Sequence, residues 1–335
     1  MSAATASAAD LLTLVRKRVN TAAVKTEARR PFRFLLCGDP ALVAELRALF
    51  LRAHPDASVP DDGASTMETI DPQRTTVVAP DTRCVIFLGR AGDADGARLD
   101  LLQALKLPVF ALTVDPEPAA SAPPQPTSAP LAGDVARYVV PRIDREALRG
   151  RFLVHLIDRC KGTEVAVGRR LPGLRETVTS KLSRDAASSA LKIAAASAVV
   201  DHVPLLGFVL GAVASAGDVV AITGIQIALM MQVGAVYGKE PDMQRIWELL
   251  PVVGGGLGWR ALSRELSGFI PVAGIAIKGA IAYAGTIVVG EGVGFFYEHG
   301  RHMTATQAGA LYEERKNAAQ VFARDVLARI KKGRG

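Results

Sequence analysis

The first place to look for chemistry is Gly38. It follows a short apolar run, Phe32–Cys37, and precedes a helical period of Leu42, Val43, Leu46, Leu49 and Phe50. A glycine between a strand and a helix is where phosphates are often held, because free backbone N–H groups at a helix N-terminus attract an anion. A Walker loop needs Gly, four residues, then Gly-Lys-Ser/Thr, so that a lysine and a Mg²⁺-binding hydroxyl reach the phosphates. Counted from Gly38, those last positions hold Val43, Ala44 and Glu45. The glycine, the lysine and the hydroxyl are all missing, and Glu45 would repel a phosphate. After a further apolar run, Val109–Val114, a guanine-reading Asn-Lys-x-Asp is reduced to Asp115. The residues therefore predict a sheet that keeps the shape of a nucleotide-binding domain without its chemistry. No catalytic residue, metal ligand or cofactor is assigned.

A second set of polar residues sits where polarity is expensive. Asp218, Thr223 and Gln226 lie in an otherwise apolar helical stretch, and Lys278 lies in the matching stretch further on. A charge among apolar helices is normally paired or turned to a cavity. Two readings stay open: Asp218 pairs with Lys278, or Asp218 caps a helix near an interface. Arg260 and Arg264, one turn apart beside Glu265, form either a solvated face or a lipid-headgroup contact. His299-x-x-His302 has no third ligand at metal-binding spacing and reads as a solvated helix end. Cys37, Cys84 and Cys160 are far apart and odd in number, as in reduced, buried thiols.

The elements that position these residues fall into two kinds. In residues 31–162, apolar runs at Phe32–Cys37, Thr75–Val78, Cys84–Leu88, Val109–Val114 and Arg137–Val140 alternate with helical periods at 42–50 and Ala97–Leu105. Asp144 is placed as the N-cap of a helix running to Cys160. This alternation predicts a small parallel α/β sheet. Residues 55–72 read as a loop. Residues 116–130, with six prolines, read as a flexible or polyproline-like loop. Residues 1–30 are an N-terminal amphipathic helix (8–19) and a linker, with no secretory h-region. Residues 304–335 form a basic amphipathic helix.

Residues 163–303 are helical and apolar. Helices are expected at Leu174–Val200, Val203–Gly217, Asp218–Gly238, Met243–Ser267 and Ile270–His299. Between 186 and 300 only 14 of 115 residues are charged, against 22% for the whole chain. Val219–Tyr237 is uncharged, and Ile270–Gly290 carries only Lys278. Each approaches the ~20 residues a membrane crossing needs. Of the chain's net +7, the flank 161–185 carries +3 and the tail 301–335 carries +5. Two antiparallel crossings joined by 239–267 would leave both basic flanks, and both termini, on the cytoplasmic side of a cytoplasmic membrane. Small residues at helix-packing spacing are Gly207, Gly211 and Ser215; Ala276, Ala280 and Ala284; Gly290 and Gly294. A soluble bundle with a conventional core would use the same spacing. Val203-Pro-Leu-Leu-Gly207 is echoed by Ile270-Pro-Val-Ala-Gly274, a short repeat that predicts two related helical hairpins. Nucleic acid is not expected as a partner, since no aromatic-interleaved basic patch or zinc-finger spacing is present.

Residues 172–300 resemble a known family. The stretches Gly217–Gln226, Val236-Tyr-Gly238, Trp259–Leu266, Ile270-Pro271, Ile281–Thr286 and Gly290 are similar, in order, to the bacterial family named domain of unknown function 697. The resemblance implies a membrane-associated helical domain, often fused behind or encoded near Era-like GTPases. It makes 31–162 look like a degenerate GTPase-like domain, and it supplies a location and a partner class but no catalytic residues. Together these readings predict a non-enzymatic, membrane-associated scaffold or regulatory protein. Its partners would be membrane lipid, a GTPase or other protein, and further copies of itself. Three alternatives stand beside it: a nucleotide-binding switch with a non-standard loop, a pore or transporter component using Asp218, Gln226 and Lys278, and a soluble interaction protein.

Overall fold

The computed structural model describes residues 20–52, 62–74, 77–93, 95–117, 125–200, 207–242 and 274–332. The chain divides into two compact units, Thr26–Lys181 and, grouped with the residues before Thr26, Leu182–Gly335. The first is an α/β unit and the second is helical. The α/β unit thus extends beyond residue 162 to take in two further helical elements.

The α/β unit takes in the end of α1 (Thr21–Arg29) and is built on β1 (Arg33–Gly38), α2 (Pro40–Leu51), β2 (Met67–Thr69), β3 (Thr82–Arg90), α3 (Gly96–Ala104), β4 (Val109–Val114) and β5 (Val135–Val140). It closes with α4 (Arg145–Arg149), α5 (Phe152–Asp158) and α6 (Glu164–Arg170). The five strands are all parallel, in the order β2-β1-β3-β4-β5. Both faces of such a sheet are covered, which is why its strands read as unbroken apolar runs. One face carries Leu35, Cys37, Val85, Phe87, Val109 and Ala111 against Leu99 and Leu102 of α3. On the other, Phe34 meets Phe50 of α2, while Phe110 and Tyr138 meet Phe152 of α5.

Three expectations are corrected here. The edge strand is Met67–Thr69, inside the stretch read as loop, whereas Val77–Ala79 has no regular structure. Three residues with one buried side chain carry too little periodicity to be seen. The helix after Asp144 breaks at Gly150-Arg151 into α4 and α5, although Asp144 does cap it, accepting from the Ala147 N–H at 2.8 Å. The end of the proline-rich segment is a packed strap. Gln125 Nε2 donates to the Val139 carbonyl (2.7 Å), Arg151 and Arg159 donate to the carbonyls of Gln125 and Ala129, and Ala129 is buried.

Helix α7 (Arg175–Val200) crosses the unit boundary. The helical unit continues with α8 (Gly207–Val236), α9 (Gly274–His299) and α10 (Ala305–Lys332). Residues 207–236 form one helix, so Asp218 is interior to it and is no cap. Of the two echoed stretches only Gly207 and Gly274, which begin α8 and α9, are described; the rest of both lies outside the described residues. Helix α9 is central and mostly buried. A Cβ on Gly290 would lie 2.1 Å from Ser183 Oγ of α7 and 2.9 Å from Leu229 Cδ2 of α8. Gly279 faces Leu191 of α7. Those contacts descend α9 as α7 ascends, so α7 and α9 are antiparallel.

Helices α8 and α9 run parallel. Gln226 meets Thr286, Leu229 meets Gly290, and Tyr237 stacks on Tyr297. The expected antiparallel hairpin of two crossings is therefore not formed, and the both-termini-inside arrangement loses its basis. Hydrophobic periodicity fixes which face of a helix is buried and says nothing of its direction. Helix α10 folds back along α9 after a turn at Gly300, opened by a capping box in which Thr304 N–H donates to Gln307 Oε1 (3.0 Å) and Gln307 N–H donates to Thr304 Oγ1 (3.2 Å).

Candidate functional site

In open parallel sheets, ligands bind beyond the carboxyl ends of the strands where the strand order reverses. Here that point lies between β1 and β3, at Gly38-Asp39 and Arg90. The chain turns within one residue: β1 ends at Gly38 and α2 starts at Pro40. Gly38 adopts φ +111°, and a Cβ there would sit 1.9 Å from the Leu88 carbonyl oxygen. That carbonyl accepts the Asp39 N–H at 2.8 Å, which locks the crossing.

Such a turn leaves no loop to wrap a phosphate. Val43 falls in the next turn of α2, its N–H donating to the Asp39 carbonyl (3.0 Å), and Ala44 and Glu45 follow it along the helix. The anion seat is instead taken by the chain itself. Asp39 Oδ1 accepts from the N–H groups of Ala41 (2.8 Å) and Leu42 (3.1 Å), and Oδ2 accepts from Arg90 Nε at 2.7 Å. The Arg90 bond, followed by the backbone donors, holds the Asp39 carboxyl below the usual carboxylate range. Arg90 is fixed in turn, its own N–H donating to Asp93 Oδ2 (3.0 Å). Around this latch Asp95 is pushed up, first by burial and then by the Asp93 charge. At the end of β4, Asp115 Oδ1 accepts from the Glu117 N–H (3.1 Å), a local turn bond. The latch therefore completes the donors of the helix N-terminus with an internal carboxylate.

The neighbouring thiol offers no nucleophile: burial pushes Cys37 up to about 12. Cys84 and Cys160, also buried and free, are raised for the same reason. Buried His155 bonds the Tyr138 hydroxyl through Nδ1 (2.8 Å), and burial lowers its pKa.

In the helical unit, Gln226 and Thr286 are brought together. Gln226 Nε2 donates to Thr286 Oγ1 (3.3 Å), which itself donates to the Ala282 carbonyl (2.8 Å). The same sixty-residue offset between the parallel helices places 218 level with 278 along the backbone. The side chains of Asp218 and Lys278 lie outside the described residues, as do those of Gly207, Gly211, Ser215 and Ala276, and the whole of Arg260 and Arg264. Thr223 is half-buried. Ala280 and Ala284 are buried, as is Gly294, and Gly290 makes the close three-helix contact. His299 and His302 stack on Phe295 and Phe296. Among the described residues no group of three or more His, Cys, Asp or Glu side chains could hold a metal.

Arg90 was not singled out by sequence reasoning. It is 51 residues from Asp39, and only the parallel pairing of β1 with β3 makes them neighbours. Comparisons with family models, with curated proteins and with solved structures find no match for this chain.

Proposed function

We propose that the chain is a non-enzymatic scaffold or regulatory protein that associates with a membrane through its helical unit and offers its α/β unit to a protein partner. The Asp39–Arg90 latch carries the non-enzymatic part. It occupies the one position where the fold would place a substrate phosphate, and it satisfies the donors that would hold one. The resemblance of 172–300 to domain of unknown function 697 adds a GTPase as the partner class. It also supports reading residues 31–162 as a GTPase-like sheet that has lost its phosphate loop.

For the membrane, support comes from the low charge of 186–300 and from Gly279–His299, which at ~1.5 Å per residue is about as long as a bilayer core is thick. A specific observation favours a second reading, the soluble interaction protein. Alongside Gly279–Gly290, α7 exposes Arg184, Asp185, Ser189 and Lys192, and α10, which packs along α9, exposes Glu313 and Glu314. Those faces suit water, and they would sheathe α9 as the core helix of a bundle. Fractionation with a carbonate wash separates the two: retention in the pellet supports the scaffold at a membrane, and full recovery in the supernatant supports the soluble protein. Titration of the purified chain with GTP, ATP and inorganic phosphate tests the latch. No ligand-dependent rise in melting temperature is expected, and a saturable rise would restore the nucleotide switch.

A further inference from the structure

The C-terminal ends of α8 and α9 lie level, since Tyr237 stacks on Tyr297 with ring centroids 5.6 Å apart. A collar of rings and cations gathers there. Phe295 has His299 stacked on it at 4.1 Å and the Arg301 guanidinium 4.8 Å from its centroid. Phe296 stacks on His302 at 5.0 Å. Lys239, which closes the end of α8, is exposed, as are His299, Arg301 and His302. The acidic groups on the same segments are Glu240, Asp242 and Glu298.

Three features set this collar apart from an ordinary helix end. The chain has 11 Phe, 5 Tyr and 2 Trp, and four of these rings meet at this one level. The rings are neither fully buried nor bare: Tyr237, Phe295, Phe296 and Tyr297 are each partly buried, with an edge left to solvent. And they stand at the ends of the two most apolar described segments, Val220–Val236 and Gly279–His299. Two tyrosines with a polar tip, two phenylalanines, and Lys239 and Arg301 at the end of apolar helices match the boundary between the acyl chains and the headgroup layer of a bilayer. A packed core would enclose the rings and exclude the cations.

We infer that this collar is the surface by which the helical unit meets a phospholipid bilayer. Arg301 and Lys239 face lipid phosphates, and the rings sit at the boundary with the acyl chains. The inference rests on the membrane reading above and assigns it a place: contact at one end of the helices, leaving the charged faces of α7 and α10 in water.

The test uses the full chain with a fluorescent probe on His302→Cys, and a control with the probe on Ser189→Cys in the exposed face of α7. The native cysteines are buried and do not compete for label. Flotation with phosphatidylcholine vesicles containing an anionic phospholipid is measured first. The protein is expected to float, with the probe at 302 shifting to the blue and quenched by headgroup-level quenchers, and the probe at 189 unchanged. The Arg301→Ser and Lys239→Ser variants are expected to lower vesicle partitioning about fivefold each, the worth of one cation near an anionic surface, with the melting temperature unchanged. If the protein floats while 302 is silent, or both variants float like the parent, the collar is wrong and the membrane reading stands. If the unmodified chain does not float at all, both fall.

Discussion

Replacing Gly290 by Ala probes the three-helix contact directly. The new methyl would meet Ser183 Oγ at 2.1 Å, Leu229 Cδ2 at 2.9 Å and Ser183 Cβ at 3.0 Å. The hydroxyl can rotate away, but Ser183 Cβ is fixed to the α7 backbone, so the helices must separate by several tenths of an ångström. Overpacking of this kind costs about 1–3 kcal/mol. Removing a helical glycine returns about 0.8–1 kcal/mol in backbone entropy. With the clash near the upper end of its range, the net loss is ~2 kcal/mol. For a unit of this size that lowers the melting temperature by roughly 4–8 °C. Gly292 is the internal control: it lies two residues on in the same helix, and a Cβ there meets nothing within 4 Å. Gly292→Ala should therefore gain up to ~1 kcal/mol. Thermal unfolding followed by circular dichroism reads both. Adding Ser183→Gly to Gly290→Ala should recover most of the loss. Equal melting temperatures for the two alanine variants, or no recovery in the double variant, would refute the packing of α7 and α8 on α9.

Gly38→Ala places a Cβ 1.9 Å from a backbone oxygen at a φ of +111°, so at least ~3 kcal/mol of destabilisation is expected, checked by urea unfolding of the full chain. His155 is held neutral by burial, with its pKa lowered; the unfolded chain binds the proton first, so stability present above about pH 6.5 should fall as pH drops through the lower folded value. His155→Phe should flatten that dependence, as melting temperature against pH would show. Thr286→Val strands the buried Gln226 amide at a cost of about 1–3 kcal/mol, whereas Gln226→Leu leaves Thr286 bonded to Ala282 and should cost under ~1 kcal/mol by the same assay. Reversal of that order would show the pair is not formed as described.

What the residues revealed in advance depended on how far each signal reaches along the chain. The long strands stood out because a sheet buried on both faces demands continuous apolar runs, as in Cys84–Leu88 and Val109–Val114. Asp144 stood out because capping is local. The edge strand Met67–Thr69 did not, since its single buried side chain makes no pattern. Gly217-Asp218 imitates a helix start in the sequence, but α8 runs through it and bears the glycine's cost of about 1 kcal/mol. Gly38 is legible as a strand-to-helix turn that lacks the lysine and hydroxyl of a phosphate loop. The carboxylate that fills the seat was in plain view as Asp39, but its meaning depended on Arg90. No local pattern links residues whose contact is made by strand pairing.

The direction of the helices bears hardest on function. A scaffold held by two antiparallel crossings would place Lys239 and Arg301 on opposite sides of the membrane. Parallel α8 and α9, in register at Tyr237 and Tyr297, place them on the same side. The register also puts the start of α9 level with a point well back along α8, so Gly274 lies some 33 Å behind Val236 at ~1.5 Å per helical residue. That distance is about a full bilayer core, so α8 and α9 cannot both cross unless the connection crosses too. Lys239→Cys and Arg301→Cys, labelled in intact and in opened membrane vesicles with a thiol reagent that cannot permeate, should show the same sidedness. The hairpin predicts opposite sidedness, and that result would overturn the parallel register and with it the collar that depends on Tyr237 and Tyr297 standing at one level.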